Sequence, residues 1–235
     1  IYFSEYPNNL PITYVYALIL KINSALHIFS GNYEGMSIVF VNCIVSSASC
    51  YLTYVVTRRL IGKKAAIIAY GCVVVLVGLS PWMVIAYSDS LTLFVPILVI
   101  FIYTISNEKF GKFVWMKYVS IITIAFWGYL IKPQTIIVLI AIVIIEVLGA
   151  PNIVKNRKIL IQTGIVLVLS GTIIFGIKFT LNKVTEKIGV ELDEQYSLGL
   201  SHFAMMGLNE ELNGVYNYED VALSHTWADK SERTK

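Results

Sequence analysis

Residues 159–179 read ILIQTGIVLVLSGTIIFGIKF, a run in which Lys178 is the single charged residue. Crossing the hydrocarbon core of a bilayer takes about 20 mostly apolar residues. Backbone N–H and C=O groups meet no water there, so such a run must close its hydrogen bonds internally, as a helix. Five further runs of the same kind lie upstream, at residues 36–57, 65–81, 91–106, 118–131 and 134–149. Together they predict an all-α, polytopic transmembrane helix bundle of about six spanning helices. The composition agrees, at 57% hydrophobic and 14% charged residues. A soluble domain has about a quarter of its residues charged, and this much apolar surface needs lipid to cover it.

Charge divides the chain. Residues 1–179 hold thirteen Lys/Arg and five Asp/Glu, whereas residues 180–235 hold five and ten. A basic membrane part therefore precedes an acidic tail. The connections 58–64, 107–117 and 152–158 carry ten of those thirteen basic residues, and the alternating connections 80–90 and 132–133 carry one. The positive-inside rule puts the first three in the cytoplasm. Residues 80–90, Lys132-Pro133 and everything from Thr180 then face outward, as does the loop before Met36.

A seventh run, 11–29, is apolar but interrupted by Lys21, Asn23 and His27. If it spanned, Tyr6-Pro7-Asn8-Asn9 would be cytoplasmic. If it lies along the outer interface, they join the other outer polar loops. The interruptions, with Lys21 reaching up to the headgroups, favour the interfacial helix. The expected organisation is the end of a first outer loop with that helix (1–35), a helix bundle (36–179) and an extracytoplasmic region (180–235). The tail holds too little apolar mass for an independent domain. Both chain ends read as truncations.

Polar groups collected at the outer helix ends are the informative ones. Asp89 is the only carboxylate in residues 35–107 and stands between Ser88 and Ser90 before Leu91. It reads either as a cap on a helix start or as a group that orients a substrate. Lys132 is one cation between two apolar runs. It reads either as a snorkelling lysine or as a phosphate contact beside the break that Pro133 makes. Tyr6, Asn8 and Asn9 read as a turn or as the lining of a site. His202 and His225 fit satisfied surface or interface residues. Cys43, Cys50 and Cys72 lie in apolar runs without metal spacing.

The order of these features resembles a known group: a Tyr-Pro outer motif, an outer helix, a span ending in Arg58-Arg59, a span ending in Ser80-Pro81-Trp82, then Tyr87-Ser88-Asp89-Ser90. It is similar to the GT-C superfamily of polytopic glycosyltransferases, which includes protein O-mannosyltransferases and the catalytic subunit of oligosaccharyltransferase. The segments Tyr6-Pro7-Asn8-Asn9, Met206-Gly207-Leu208-Asn209, Asn213-Gly214-Val215-Tyr216 and Glu219-Asp220 look most like the membrane glycosyltransferases of low-GC Gram-positive bacteria.

The resemblance implies transfer of a sugar from a polyprenyl-phosphate donor to a glycan or protein acceptor of the cell envelope, on the outer face of the cell membrane. It implies a general base on a first-loop Asp before Ile1, so no catalytic base is expected within this chain. Lys132 would hold the leaving phosphate, Ser88 and Asp89 would position the substrates, and Tyr6, Asn8 and Asn9 would line the sugar site. The corresponding family motif has two acidic residues, whereas Ser90 and Leu91 follow Asp89 here. A divalent metal at Asp89 is the one cofactor the resemblance offers, on one carboxylate where such cations ordinarily take several oxygens. The bilayer is an expected partner and nucleic acid is not. The competing class is a polytopic transporter, or a flippase or polymerase of lipid-linked glycans. Such proteins place ionisable groups near the bilayer midplane, whereas Glu146 and Lys178 sit near run ends.

Overall fold

The computed structural model describes residues 2–7, 9–149, 157–193, 198, 200–208, 215 and 217–226. In chain order its helices are α1 (Tyr2–Glu5), α2 (Asn9–Leu26), α3 (Met36–Leu60), α4 (Lys63–Val73), α5 (Ser88–Thr92), α6 (Phe94–Tyr103), α7 (Val114–Ile131), α8 (Ile137–Gly149), α9 (Arg157–Ile188), α10 (Leu200–Leu208) and α11 (Tyr218–Thr226). No strand occurs among the described residues. The protein is all-α, as its apolar runs require. The described residues fall into two compact units, one drawn from Pro11–Leu181 and the other from Ile1–Leu10 with Asn182–Lys235.

In the Pro11–Leu181 unit, Gly31–Leu60 and Val114–Ile131 are long and apolar enough to cross a membrane, as is Ile159–Ile188, most of which belongs to this unit. Ser88–Tyr103 and Pro133–Gly149 are apolar but shorter. The run expected over 65–81 ends early. There α4 widens into a π turn, Val74–Gly78, closed by Leu79 N–H donating to the Val74 carbonyl at 2.9 Å. Pro81 has no N–H to continue the ladder, and the chain restarts as a 3-10 turn, Pro81–Val84. The helix expected from Leu91 instead begins at Ser88, because the extended residue before it is Tyr87.

Asn23, which reads in the sequence as an interruption, closes α2. Its amide donates to the Phe29 carbonyl at 2.9 Å and its Oδ1 accepts from Phe29 N–H at 3.0 Å. The chain turns between them at His27, with φ of 51°. Both partners are local, so a buried amide is satisfied without a second helix.

The core of this unit lies where α6, α7 and α8 meet. Val99, Ile121, Ala125 and Ile142 are buried together there, with Val95, Ile124 and Leu139 packed around them. On its other side α6 packs on α3, and α3 packs on α4. The most apolar window of α7 is 39% buried against 28% for α3, which makes α7 the more central helix.

One end of this unit gathers basic residues, as the loop charges suggest. Lys117, expected in a connection, lies in the first turns of α7 and is 4% exposed. Its ammonium donates to the Ile105 carbonyl at 2.8 Å and to Asn107 Oδ1 at 2.9 Å. It also faces the rings of Tyr103 and Tyr118 at 5.2 and 5.6 Å. Tyr118 in turn donates to Glu146 Oε1 at 3.0 Å, which joins α7 to α8. Lys117 thus closes the carboxyl end of α6 from the next helix. Lys117→Met keeps the volume but orphans two acceptors, at a cost of about 2 kcal/mol. The expected result is a lowered thermal midpoint in detergent with unchanged helix content by circular dichroism.

The other unit is closed by polar contacts, several of them between residues far apart in sequence. Buried Ser4 accepts from Asp193 N–H through its Oγ at 3.0 Å, and Leu198 N–H donates to the Glu5 carbonyl at 3.4 Å. Asn9 donates to the Tyr2 hydroxyl at 2.8 Å. Helices α10 and α11 pair through His202 Nδ1 and Ser224 Oγ, 2.8 Å apart. His202 is 4% exposed, a satisfied internal histidine. Residues Ile1–Leu10, which include the first two residues of α2, group with Asn182–Lys235.

Candidate functional site

The site is built on two chain breaks. The first is the segment from Ser80 to Ser90. Ser80 opens the 3-10 turn by accepting from Trp82 N–H at 3.4 Å. Ile85 and Tyr87 are then extended, and α5 starts at Ser88 with Asp89 in its first turn. Exposed N–H groups there favour a negative charge.

Three side chains hold this segment by its carbonyls. Asn42 of α3 donates to Ile85 at 3.1 Å, Tyr16 of α2 donates to Tyr87 at 3.1 Å, and Ser90 donates to Trp82 at 2.8 Å. Ser88 itself accepts, through its carbonyl, from Thr92 Oγ1 at 2.7 Å. The backbone that carries Asp89 is therefore pinned from three directions.

The second break is Lys132-Pro133. A proline pushes the residue before it out of helical conformation. Lys132 accordingly closes α7 at φ −142° and ψ 107°, and Pro133 opens the 3-10 turn Pro133–Ile136. Lys132 N–H still donates to the Gly128 carbonyl at 2.7 Å, and its own carbonyl accepts from Thr135 Oγ1 at 3.0 Å. The side chain of Lys132 is thus launched from a fully hydrogen-bonded corner.

These two breaks meet. Lys132 Nζ forms an ion pair with Asp89 Oδ1 and lies 5.9 Å from the centre of the Tyr87 ring. The lysine side chain is 25% exposed and the aspartate side chain 52%, so the pair lies open at its surface. Burial lowers the Lys132 pKa from the ordinary lysine value. The Asp89 carboxylate acts the other way and favours the ammonium. A cation held by one carboxylate, with its side chain 25% exposed, can take a second anion.

Residues chosen from sequence are distributed as follows. Ser88, Asp89 and Lys132 come together in the Pro11–Leu181 unit. Tyr6 and Asn9 belong to the other unit. Asn8, Asn209, Asn213, Gly214, Tyr216 and the His225 side chain lie outside the described residues. Asp89 faces a lysine rather than a second carboxylate. Among the described residues no group of three His, Cys, Asp or Glu side chains gathers that could hold a metal ion.

Sequence reasoning missed Asn42, Tyr16 and Gly128. Asn42 had a signal, as the only amide in residues 36–57, and it is fully buried. Tyr16 had none, being one of fifteen tyrosines. Gly128 is a point of close approach. A Cβ there would lie 2.6 Å from Val95 Cγ1 and 2.7 Å from Thr135 Oγ1.

Comparison with known proteins places the chain at the level of a family. Residues 1–235 match the model of a family described as "Conserved hypothetical integral membrane protein". No curated protein and no solved structure matches.

Proposed function

We propose, for a chain that belongs to this family of conserved hypothetical integral membrane proteins, that it is part of a membrane glycosyltransferase using a polyprenyl-phosphate sugar. The observation that carries the reading is the open Asp89–Lys132 pair, set where two helices break. In such a reaction an acceptor hydroxyl oxygen bonds to the anomeric carbon of the sugar while the bond from that carbon to the lipid phosphate breaks. The phosphate leaves with the electron pair, and the hydroxyl proton passes to a base. Charge grows on the phosphate oxygen, and a fixed cation within reach lowers that barrier.

Lys132 is the cation in this reading. Asp89 holds it in place before the donor arrives, and the Asp89–Ser88 turn then positions the substrates. The reading carries with it six spans, an outer interfacial helix in residues 11–29 and an extracytoplasmic carboxyl-terminal region in the cell membrane. The acceptor is a glycan or protein of the envelope.

The test uses the full-length protein in proteoliposomes, with radiolabelled polyprenyl-phosphate sugar outside and envelope acceptor supplied. Label is expected to leave the lipid and appear on the acceptor. Label that stays on the lipid but crosses to the inner leaflet would make the protein a flippase instead.

A further inference from the structure

The turn from α3 to α4 reads Arg58-Arg59-Leu60-Ile61-Gly62-Lys63-Lys64, with four cations and no acid. All four cations are exposed. Leu60 and Ile61 between them are 64% and 75% exposed. Gly62 takes φ of 133°, a conformation that a side chain would resist, and the chain reverses there. Arg59 is anchored. Its guanidinium lies 4.6 Å from the centre of the Phe101 ring and donates to Thr104 Oγ1 at 3.4 Å, which ties the turn to the end of α6. Arg58, Lys63 and Lys64 form no ion pair among the described residues.

Two facts select the partner. Free cations need only water, but two bare aliphatic side chains at the tip of a reversing turn need an apolar phase. A soluble phosphate or a nucleic acid would satisfy the cations and leave Leu60 and Ile61 in water. A bilayer interface meets both demands, since its headgroups carry phosphate and its acyl boundary begins a few ångströms deeper. The turn also joins two apolar helices, so it already stands at such a boundary. We propose that the 58–64 turn is a docking surface for anionic phospholipid headgroups. Leu60 and Ile61 enter the acyl boundary, and Arg58, Lys63 and Lys64 contact the lipid phosphates. This surface serves any activity the other end of the bundle performs.

The full chain is reconstituted in phosphatidylcholine vesicles with a trace of spin-labelled phosphatidylglycerol or spin-labelled phosphatidylcholine. The measurement is the relative association of the two labels with the protein. A preference for phosphatidylglycerol of roughly twofold to threefold is expected at low salt, fading at high salt. The triple variant Arg58→Gln/Lys63→Gln/Lys64→Gln is expected to bring the ratio close to one. Arg58→Lys/Lys63→Arg/Lys64→Arg is expected to keep it. Lys183→Gln/Lys187→Gln/Lys230→Gln removes equal charge from the acidic tail and is also expected to keep it. Because each ratio is taken within one sample, partial loss of folded protein does not alter its meaning. Equal losses in the two glutamine variants, or no preference in the native chain, overturn the proposal.

Discussion

Gly128→Leu is expected to lower the thermal midpoint of the purified protein more than any other single change considered for this chain. At this position α7 is wedged between two neighbours. A Cβ alone would lie 2.6 Å from Val95 Cγ1, 2.7 Å from Thr135 Oγ1 and 3.1 Å from Thr135 Cβ. Neither neighbour yields easily, since Val95 and Thr135 are β-branched and have few rotamers. Thr135 is also buried, and its hydroxyl is committed to the Lys132 carbonyl at 3.0 Å.

Overpacking of this kind costs about 1–3 kcal/mol, and occasionally more. The alanine variant belongs at the low end of that range and leucine above it. The Gly128 carbonyl also receives Lys132 N–H at 2.7 Å, so displacing α7 moves the corner that carries Lys132. A graded fall in melting temperature from glycine through alanine to leucine, measured in detergent micelles, is the expected series. Equal midpoints for all three would show that α7 and the Pro133–Ile136 turn do not approach as described.

How far the sequence could be read depends on what each signal measures. Hydropathy reports which segments leave water, so the helical runs, the break at Lys132-Pro133 and the basic connections were legible. It does not report which helix touches which. A run such as residues 137–145 is apolar on every side and has no polar face from which a neighbour could be inferred. Asp89 and Lys132 were each legible as isolated charges between apolar runs. Their pairing across 43 residues of sequence was not, because it depends on how α5 and α7 lie together.

Local errors have local causes. Placing the helix start at Leu91 let Asp89 read as a cap, whereas it lies inside the first turn and Tyr87 precedes it. The span expected to reach Pro81 stops at Gly78 because the π turn changes the hydrogen-bond register there, and composition carries no trace of register. Asn42 was passed over because a single amide in an apolar run does not disclose its partner. That partner is a backbone carbonyl 43 residues away.

Lys132→Gln is expected to slow sugar transfer by about two to three orders of magnitude while leaving the fold intact. The two effects separate because the Asp89–Lys132 pair is partly exposed, at 52% and 25%. Exposed pairs contribute only about 0–1 kcal/mol to stability, so the melting temperature should hardly move. Catalysis is a different matter. Removing a preorganised charge from a developing anion costs about 100-fold to 1000-fold in turnover, and that loss is expected in kcat rather than in KM alone. Lys132→Arg should restore part of it, because the positive charge remains while its geometry changes.

Asp89→Asn tests the carboxylate separately. If Asp89 acts chiefly by holding Lys132, its loss costs less than that of the lysine, and the double variant is no slower than Lys132→Gln. Additive losses would give Asp89 a role of its own toward the substrate. Native rates in Lys132→Gln would remove the lysine from the phosphate site, and the glycosyltransferase reading would lose the observation on which it stands.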